Sequence, residues 1–315
     1  MEKSFNRIDQ AIQKTAKAYK GGAKAIAKAI GSNQKTFTNK CNPKSKKHIL
    51  TISELADIIR HTGDARILQQ LSQEFGVVCI KKIDKDNLSD MSVINAWADW
   101  DVESADISRA FRNAFIDNQL TEAELDEISI QMYEAFEHEL YLFQLLDVHL
   151  RGDISCPLLT QLDKQYQYTH YYDALSAIFD IDDTVFQKII RELGTTEGVI
   201  RRKLNNSVTD MDFNIHDLVK IMNITDKISP LVALANNLGY VAVKVLNHFT
   251  PEDDEALLEL WSDSAAERAW TVQHIQRVID SENLSEKDMA RICKTMFEDF
   301  EQGFELLKRL EDFVE

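Results

Sequence analysis

Proline and glycine are scarce, four and ten among 315 residues. Both interrupt helices and build turns, so their rarity excludes collagen-like, low-complexity and loop-rich β architectures and favours long helices. The four cysteines, Cys41, Cys79, Cys156 and Cys293, lie far apart with no CxxC spacing. A disulfide framework or zinc site is therefore not expected, and small core thiols in a reducing compartment are. No apolar run approaches a membrane span, and the start MEKSFNRIDQ has no signal-peptide core, so a cytosolic chain without membrane contact is expected. Gly-rich phosphate loops, G-x-S-x-G and metal motifs are missing, and the eight histidines show no ligand-like pairing. Catalysis, cofactors and metals are not expected.

Positive charge is also scarce over most of the chain. Beyond residue 50 there are 24 Lys/Arg against 50 acids, whereas residues 1–50 hold twelve against two. The net charge of −16 hides this division. A basic arm on an acidic body is the asymmetry expected when one end meets a polyanion.

What the chain does have is a repeat. Shifted by 163, Ile26 to Lys82 falls on Ile189 to Val245 without a gap, with thirteen identities that include Ile26, Gly31, Lys40, Asn42, Leu55 and Gly76. A shift of 164 then pairs Trp97 with Trp261, Met132 with Met296 and Phe136 with Phe300. Cys41 and Cys79 fall at apolar positions of the repeat, opposite Leu204 and Ala242. One chain carries two copies of a unit of about 150 residues, the size of an ordinary domain.

Each copy reads as helices. A lysine-studded helix over Ile8 to Tyr19 is broken at Gly21-Gly22; a short helix presents Ile26, Ala27 and Ile30 and ends at Gly31. Ser32 is expected to cap the next helix, Asn33 to Cys41, which buries Phe37 and Cys41 and stops at Pro43. Thr51-x-x-Glu54 is a capping box, Asp64 is expected to cap a further helix, and Val77–Ile80 reads as extended. Then two long amphipathic helices follow, one through Trp97, Trp100 and Ile107, the next opened by Thr121-x-x-Glu124 and carrying Met132, Phe136 and Phe143. They form an antiparallel hairpin whose wide apolar stripe must pack on the sister hairpin or on another chain. Fourteen acids against two arginines over residues 88–150 read as the wet face of that hairpin. The tyrosines and histidine from Tyr166 to Tyr172 read as packing residues of the second copy's first helix.

Short helix, glycine turn, second helix is a helix-turn-helix pattern, which frees one face of the second helix for a major groove. Its outward residues Asn33, Gln34, Thr38 and Asn39 are the candidate base contacts, since Asn and Gln pair bidentately with adenine. Ser32, Lys35, Lys40, Lys44, Lys46 and Lys47 are the candidate phosphate contacts.

GSNQKTFTNKCNP, the basic loop and LTISELADIIRHTGDARILQQL together resemble the CII-type regulatory proteins of temperate phages of the phage 186 kind. Thr36, Asn39, Lys40, Asn42 and Pro43 match the family's T-L-R-N-K-L-N-P core, with Phe37 and Cys41 as apolar stand-ins. Thr51, Glu54 and Leu55, then Thr62, Gly63 and Asp64, match its later elements. The resemblance covers residues 25–80 well and extends loosely to 150. It implies a sequence-specific transcription activator in the bacterial host cell, working as an oligomer on spaced half-sites. This chain departs from the family in length and in carrying a second copy.

The expected fold is all-α: helix-turn-helix domain 1–86, hairpin 87–150, diverged helix-turn-helix-like domain 159–247, hairpin 248–315. The second reading helix, with Thr196, Arg201, Arg202 and Lys203, has lost Pro43 (Asn206 instead) and the basic loop, which becomes Ser207 to Asp212. It is either a second reader with a different or weaker preference or a retired one kept as scaffold. The expected partner is double-stranded DNA, with the hairpins making a homo-oligomer or an intramolecular pseudo-dimer. The acidic hairpins could repel DNA or dock on RNA polymerase. The rival readings are a non-enzymatic antirepressor or adaptor that binds a host or phage protein through the acidic body, and a structural helical scaffold.

Overall fold

The structure, a computed structural model, describes residues 2–45, 47–82, 92–117, 119–151, 168–180, 183–205, 211–244, 262, 266, 268–277 and 285–314. The first copy runs α1 Glu2–Ala18, α2 Gly22–Ala29, α3 Gln34–Lys40, α4 Ile52–Thr62, α5 Arg66–Gln73, β1 Val77–Lys81, α6 Ser92–Ala114 and α7 Glu122–Arg151. The second runs α8 Tyr171–Phe179, α9 Asp183–Leu193, α10 Glu197–Lys203, α11 Ile215–Thr225, α12 Ser229–Asn237 and β2 Tyr240–Lys244. It closes with α13 over residues 268–277 and α14 Glu286–Phe313. Among the described residues the protein is all-α apart from the pair β1–β2. Both bounds of α3, α4 and β1 recur in α10, α11 and β2 at an offset of 163, and α14 begins 164 residues after α7. The repeat in sequence is thus a repeat in structure.

Local chemistry explains the matching starts. Thr51 and Glu54 form the reciprocal capping box of α4, and Asn214 accepts the Asp217 N–H at 2.7 Å at the same place in α11. Thr121 with Glu124 and Ser285 with Asp288 repeat the device at α7 and α14. The expected cap at Asp64 is shifted: Ala65 occupies the N-cap of α5, and the Asp64 carboxylate accepts the Arg66 N–H at 2.9 Å. Helix α4 ends on Gly63 at φ 71°, and α11 on Asp226 at φ 52°, a left-handed conformation that aspartate tolerates at some cost.

The chain divides into two compact units, Met1–Cys79 with Tyr166–Ala242, and Ile80–Gln165 with Val243–Glu315. The first unit has one core to which both copies contribute, including Ile26, Phe37 and Leu55 with Ile189, Ile200 and Leu218. Helix α1 packs along α5, and α8 along α12. At the join the Ile52 N–H donates to the Phe213 carbonyl at 2.9 Å and the Ile215 N–H to the Leu50 carbonyl at 3.0 Å, with Thr51 opposite Asn214 in an antiparallel bridge. Exchanging residues 50–52 with 213–215 turns this pair of bonds into itself, so a local pseudo-dyad passes between Thr51 and Asn214. The flanking contacts obey it in outline. From α8, the Tyr171 hydroxyl reaches Ser53 Oγ at 2.9 Å; from α1, Asp9 and Phe5 reach His216, the counterpart of Ser53. These tyrosines pack, as their positions suggested; Tyr166 lies outside the described residues.

In the second unit α6 packs along α7, and α7 along α14, with Phe136 edge-on to Phe300 at 4.8 Å. Glu139 departs furthest from the wet-face expectation. Glu139 on α7 is only 3% exposed, beside Asp299 on α14, whose carboxylate straddles Arg268 Nε at 3.0 and 3.1 Å. Burial, then the neighbouring Asp299 charge, holds the Glu139 carboxyl protonated well above the usual range; Arg268 opposes this. The cluster occurs on one side only. At offset 164 its members correspond to Gly303, Ala135 and Ser104, and at Gly303 a Cβ would stand 2.6 Å from Phe136 Cζ.

Candidate nucleic-acid interface

Helices α2 and α3 are joined through Gly31 at φ 68°, a conformation repeated by Gly194 at φ 61° between α9 and α10. Ile26, Ala27 and Phe37 are buried at the crossing, so side chains three and four positions from Phe37 are divided between core and surface. Cys41, four residues on, is buried with them, and burial pushes its thiol up to about 12, with Glu54 adding to the effect. Cys79, fully buried, is likewise pushed up to about 12. Neither thiol is ionised at neutral pH. The Cys41, Cys79 and Cys293 thiols are buried, and among the described residues no cluster of metal-binding side chains occurs.

Asn33, not Ser32, caps α3: its Oδ1 accepts the Thr36 N–H at 3.1 Å and the Thr36 hydroxyl at 3.3 Å. Asparagine is among the strongest N-cap residues, and here Ser32 is drawn to another partner. The cap occupies the oxygen that a bidentate contact from Asn33 to adenine would need and leaves its amide N–H groups. Thr38 returns its hydroxyl proton to the Gln34 carbonyl at 2.8 Å, leaving its methyl and lone pairs outward. Asn33, Gln34, Lys35, Thr38 and Asn39 line one open recess.

The structure divides the predicted phosphate contacts. Lys35, Lys44 and Lys47 are exposed; Lys46 lies outside the described residues. Lys40 and Ser32 instead turn to Glu54. The Lys40 ammonium pairs with its carboxylate, with side chains 14% and 19% exposed, and the Ser32 hydroxyl approaches at 3.5 Å. Glu54 thus closes the capping box of α4 and pins both ends of α3 at once. The second copy keeps this clamp as Lys203–Asp217 at 2.8 Å, with the Lys203 ammonium also 5.0 Å from the Phe213 ring centroid. The residue types alone assign Lys40 and Lys203 to DNA and do not show the clamp. The repeat carried its signal: lysine is identical at 40 and 203, and an acid stands at both 54 and 217.

On α10 the outward residues are Thr196, Glu197, Gly198, Arg201 and Arg202, all exposed. Thr196 is the N-cap but makes no side-chain cap bond. Glu197 holds Arg201 Nε at 2.7 Å, and the guanidinium stands 5.6 Å from the Phe186 ring. Both copies therefore present the same framework with different chemistry on the outward face.

The family model for Phage regulatory protein CII (CP76) matches the chain twice, over residues 6–144 and 170–312. The chain belongs to this family. Each match takes in one copy from its first helix to its last, so α3 and α10 both fall inside the CII pattern. The CII family is a regulatory one, and this member is a phage regulatory protein with the family unit in tandem. No curated protein and no solved structure matches the chain. Among the described residues no helix is long and apolar enough to cross a membrane.

Proposed function

We propose that this CII-family chain is a sequence-specific double-stranded DNA-binding transcription regulator of a temperate phage or prophage, with α2–Gly31–α3 as a helix-turn-helix and α3 as its reading helix. The observation that carries this is the division of α3 itself. Phe37, Cys41 and Lys40 are committed inward, while Gln34, Thr38 and Asn39 face outward beside the exposed Lys35, Lys44 and Lys47. A clamped helix with an amide-rich outer face ringed by cations is suited to a major groove: amides read adenine, and cations replace counterions at phosphates. Asn33 contributes a donor from the helix start. Lys40 and Ser32 serve by holding α3 in place. The paired hairpins supply assembly, either within one chain or between chains, and their acidic surface is the candidate for docking RNA polymerase.

The test is retention of the full-length protein on a random duplex pool at low salt, followed by sequencing of what is kept. Lys35→Glu, Lys44→Glu and Lys47→Glu together should abolish retention without loss of helicity, because all three side chains are exposed. Each phosphate contact removed should flatten the dependence of log affinity on log salt by about 0.9. A protein that keeps no duplex at low salt would overturn the reading and favour the adaptor.

A further inference from the structure

We infer that the chain reads one operator with two unlike half-sites in inverted orientation, an A·T-containing half through α3 and a G·C-containing half through α10. This rests on the DNA reading proposed above and adds to it the orientation and chemistry of the second half-site.

Orientation follows from the pseudo-dyad. The reciprocal bonds of Ile52 to Phe213 and Ile215 to Leu50 relate the two copies in the first unit by a two-fold exchange, not by a translation. The two reading helices belong to that one body. A duplex has two-folds perpendicular to its axis, so helices related by such an axis meet half-sites that run in opposite directions. A direct repeat would need the copies to be related by translation along the duplex, which reciprocal bonding at residues 50–52 and 213–215 forbids.

Chemistry follows from the aligned outer faces. Where α3 presents Gln34, Thr38 and Asn39, α10 presents Glu197, Arg201 and Arg202 at the same three positions. Amides match adenine's paired acceptor and donor; arginine's fork matches guanine O6 and N7; a carboxylate accepts from cytosine N4. Arg201 is exposed; Glu197 takes its Nε at 2.7 Å and the guanidinium stands 5.6 Å from the Phe186 ring, so the pair with Glu197 does not use its two terminal nitrogens. Arg202 is exposed beside it. Phosphate attraction differs as well. The position of Lys35 is Gly198 in the second copy, and the position of Lys47 is Asp210. The first copy therefore carries most of the salt-dependent affinity, and the second adds discrimination once the chain is delivered.

The deciding experiment uses the full chain and selection from a random duplex pool. The parent should enrich a bipartite motif whose halves differ. A variant carrying Thr196→Asn, Glu197→Gln, Gly198→Lys, Arg201→Thr and Arg202→Asn places the first copy's face on α10. All five positions are exposed, so the fold should survive, with far-UV circular dichroism as the check. This variant should enrich an inverted repeat of the first half. A direct repeat would refute the dyad, and an unchanged motif would show that α10 touches no base. Independently, Arg202→Ala should lower affinity about five- to a hundredfold for duplexes holding the guanine of the second half, with selection in the first half intact. Equal loss on all sequences would overturn the assignment of Arg202 as a base reader. If the parent retains no duplex at all, the underlying DNA reading falls, which is distinct from retention with a single or direct-repeat motif.

Discussion

Replacing Arg268 by methionine should unfold the second unit far more readily, and the size of the effect follows from what surrounds the guanidinium. Its Nε stands 3.0 and 3.1 Å from the two oxygens of Asp299; the arginine and aspartate side chains are 10% and 2% exposed. Water cannot take the place of the cation. Methionine fills much of the space and leaves two carboxyls, Asp299 and the protonated Glu139, without a positive neighbour from α13. Removing one partner of a buried pair costs about 3–5 kcal/mol. Urea unfolding followed by tryptophan fluorescence reads this directly, because Trp97, Trp100 and Trp270 belong to the second unit. Arg268→Met with Asp299→Leu and Glu139→Leu should recover most of the loss, since an apolar trio needs no cation. A loss under about 1 kcal/mol for the single variant, or a triple variant no better than the single, would refute the reasoning.

Three further outcomes are expected. Burial, then Glu134, pushes the Glu137 carboxyl up to about 7 against the opposing pull of Lys81. The folded state thus holds a proton that the unfolded chain has lost, and the second unit should weaken between about pH 4.5 and pH 7 by on the order of 1–3 kcal/mol; Glu137→Gln should flatten that slope in urea titrations. Asp226→Gly should stabilise the first unit by about 0.5–1 kcal/mol, and Gly63→Ala should destabilise it by about 1 kcal/mol, because both positions have positive φ and a Cβ at Gly63 meets nothing within 4 Å; thermal melts by circular dichroism compare them. Lys40→Met should leave the Glu54 carboxylate without its ammonium and cost the first unit about 1–3 kcal/mol, whereas Lys35→Met should leave stability unchanged; the same melts separate the two.

Much of this architecture was legible in the residues. The offset of 163 placed the elements of the second copy on those of the first, and Thr51–Glu54 and Thr121–Glu124 marked helix starts that the structure keeps. The start of α3 was ambiguous because serine and asparagine both cap; the contest was settled by Glu54, which draws Ser32 away. Lys40 looked like surface charge because its partner is fourteen residues distant and meets it only when α3 folds onto α4. Glu139 lies three residues after Phe136 and four before Phe143, on the apolar stripe, so its burial could have been read from spacing alone. The pseudo-dyad could not. Backbone bonds between residues 50–52 and 213–215 are made by groups every residue owns, and no side-chain pattern announces them.

The one-sided cluster of Glu139, Asp299 and Arg268 makes the halves of this molecule non-interchangeable. If two first hairpins met in the same geometry, each Glu139 would face Ala135, with Ser104 where the arginine should stand, and two buried carboxyls would have neither Asp299 nor Arg268 beside them. Two second hairpins would set Asp299 and Arg268 beside Gly303, leaving a hole the width of a glutamate. At this site each half supplies what its sibling lacks: one the buried carboxyl, the other the cation and its carboxylate.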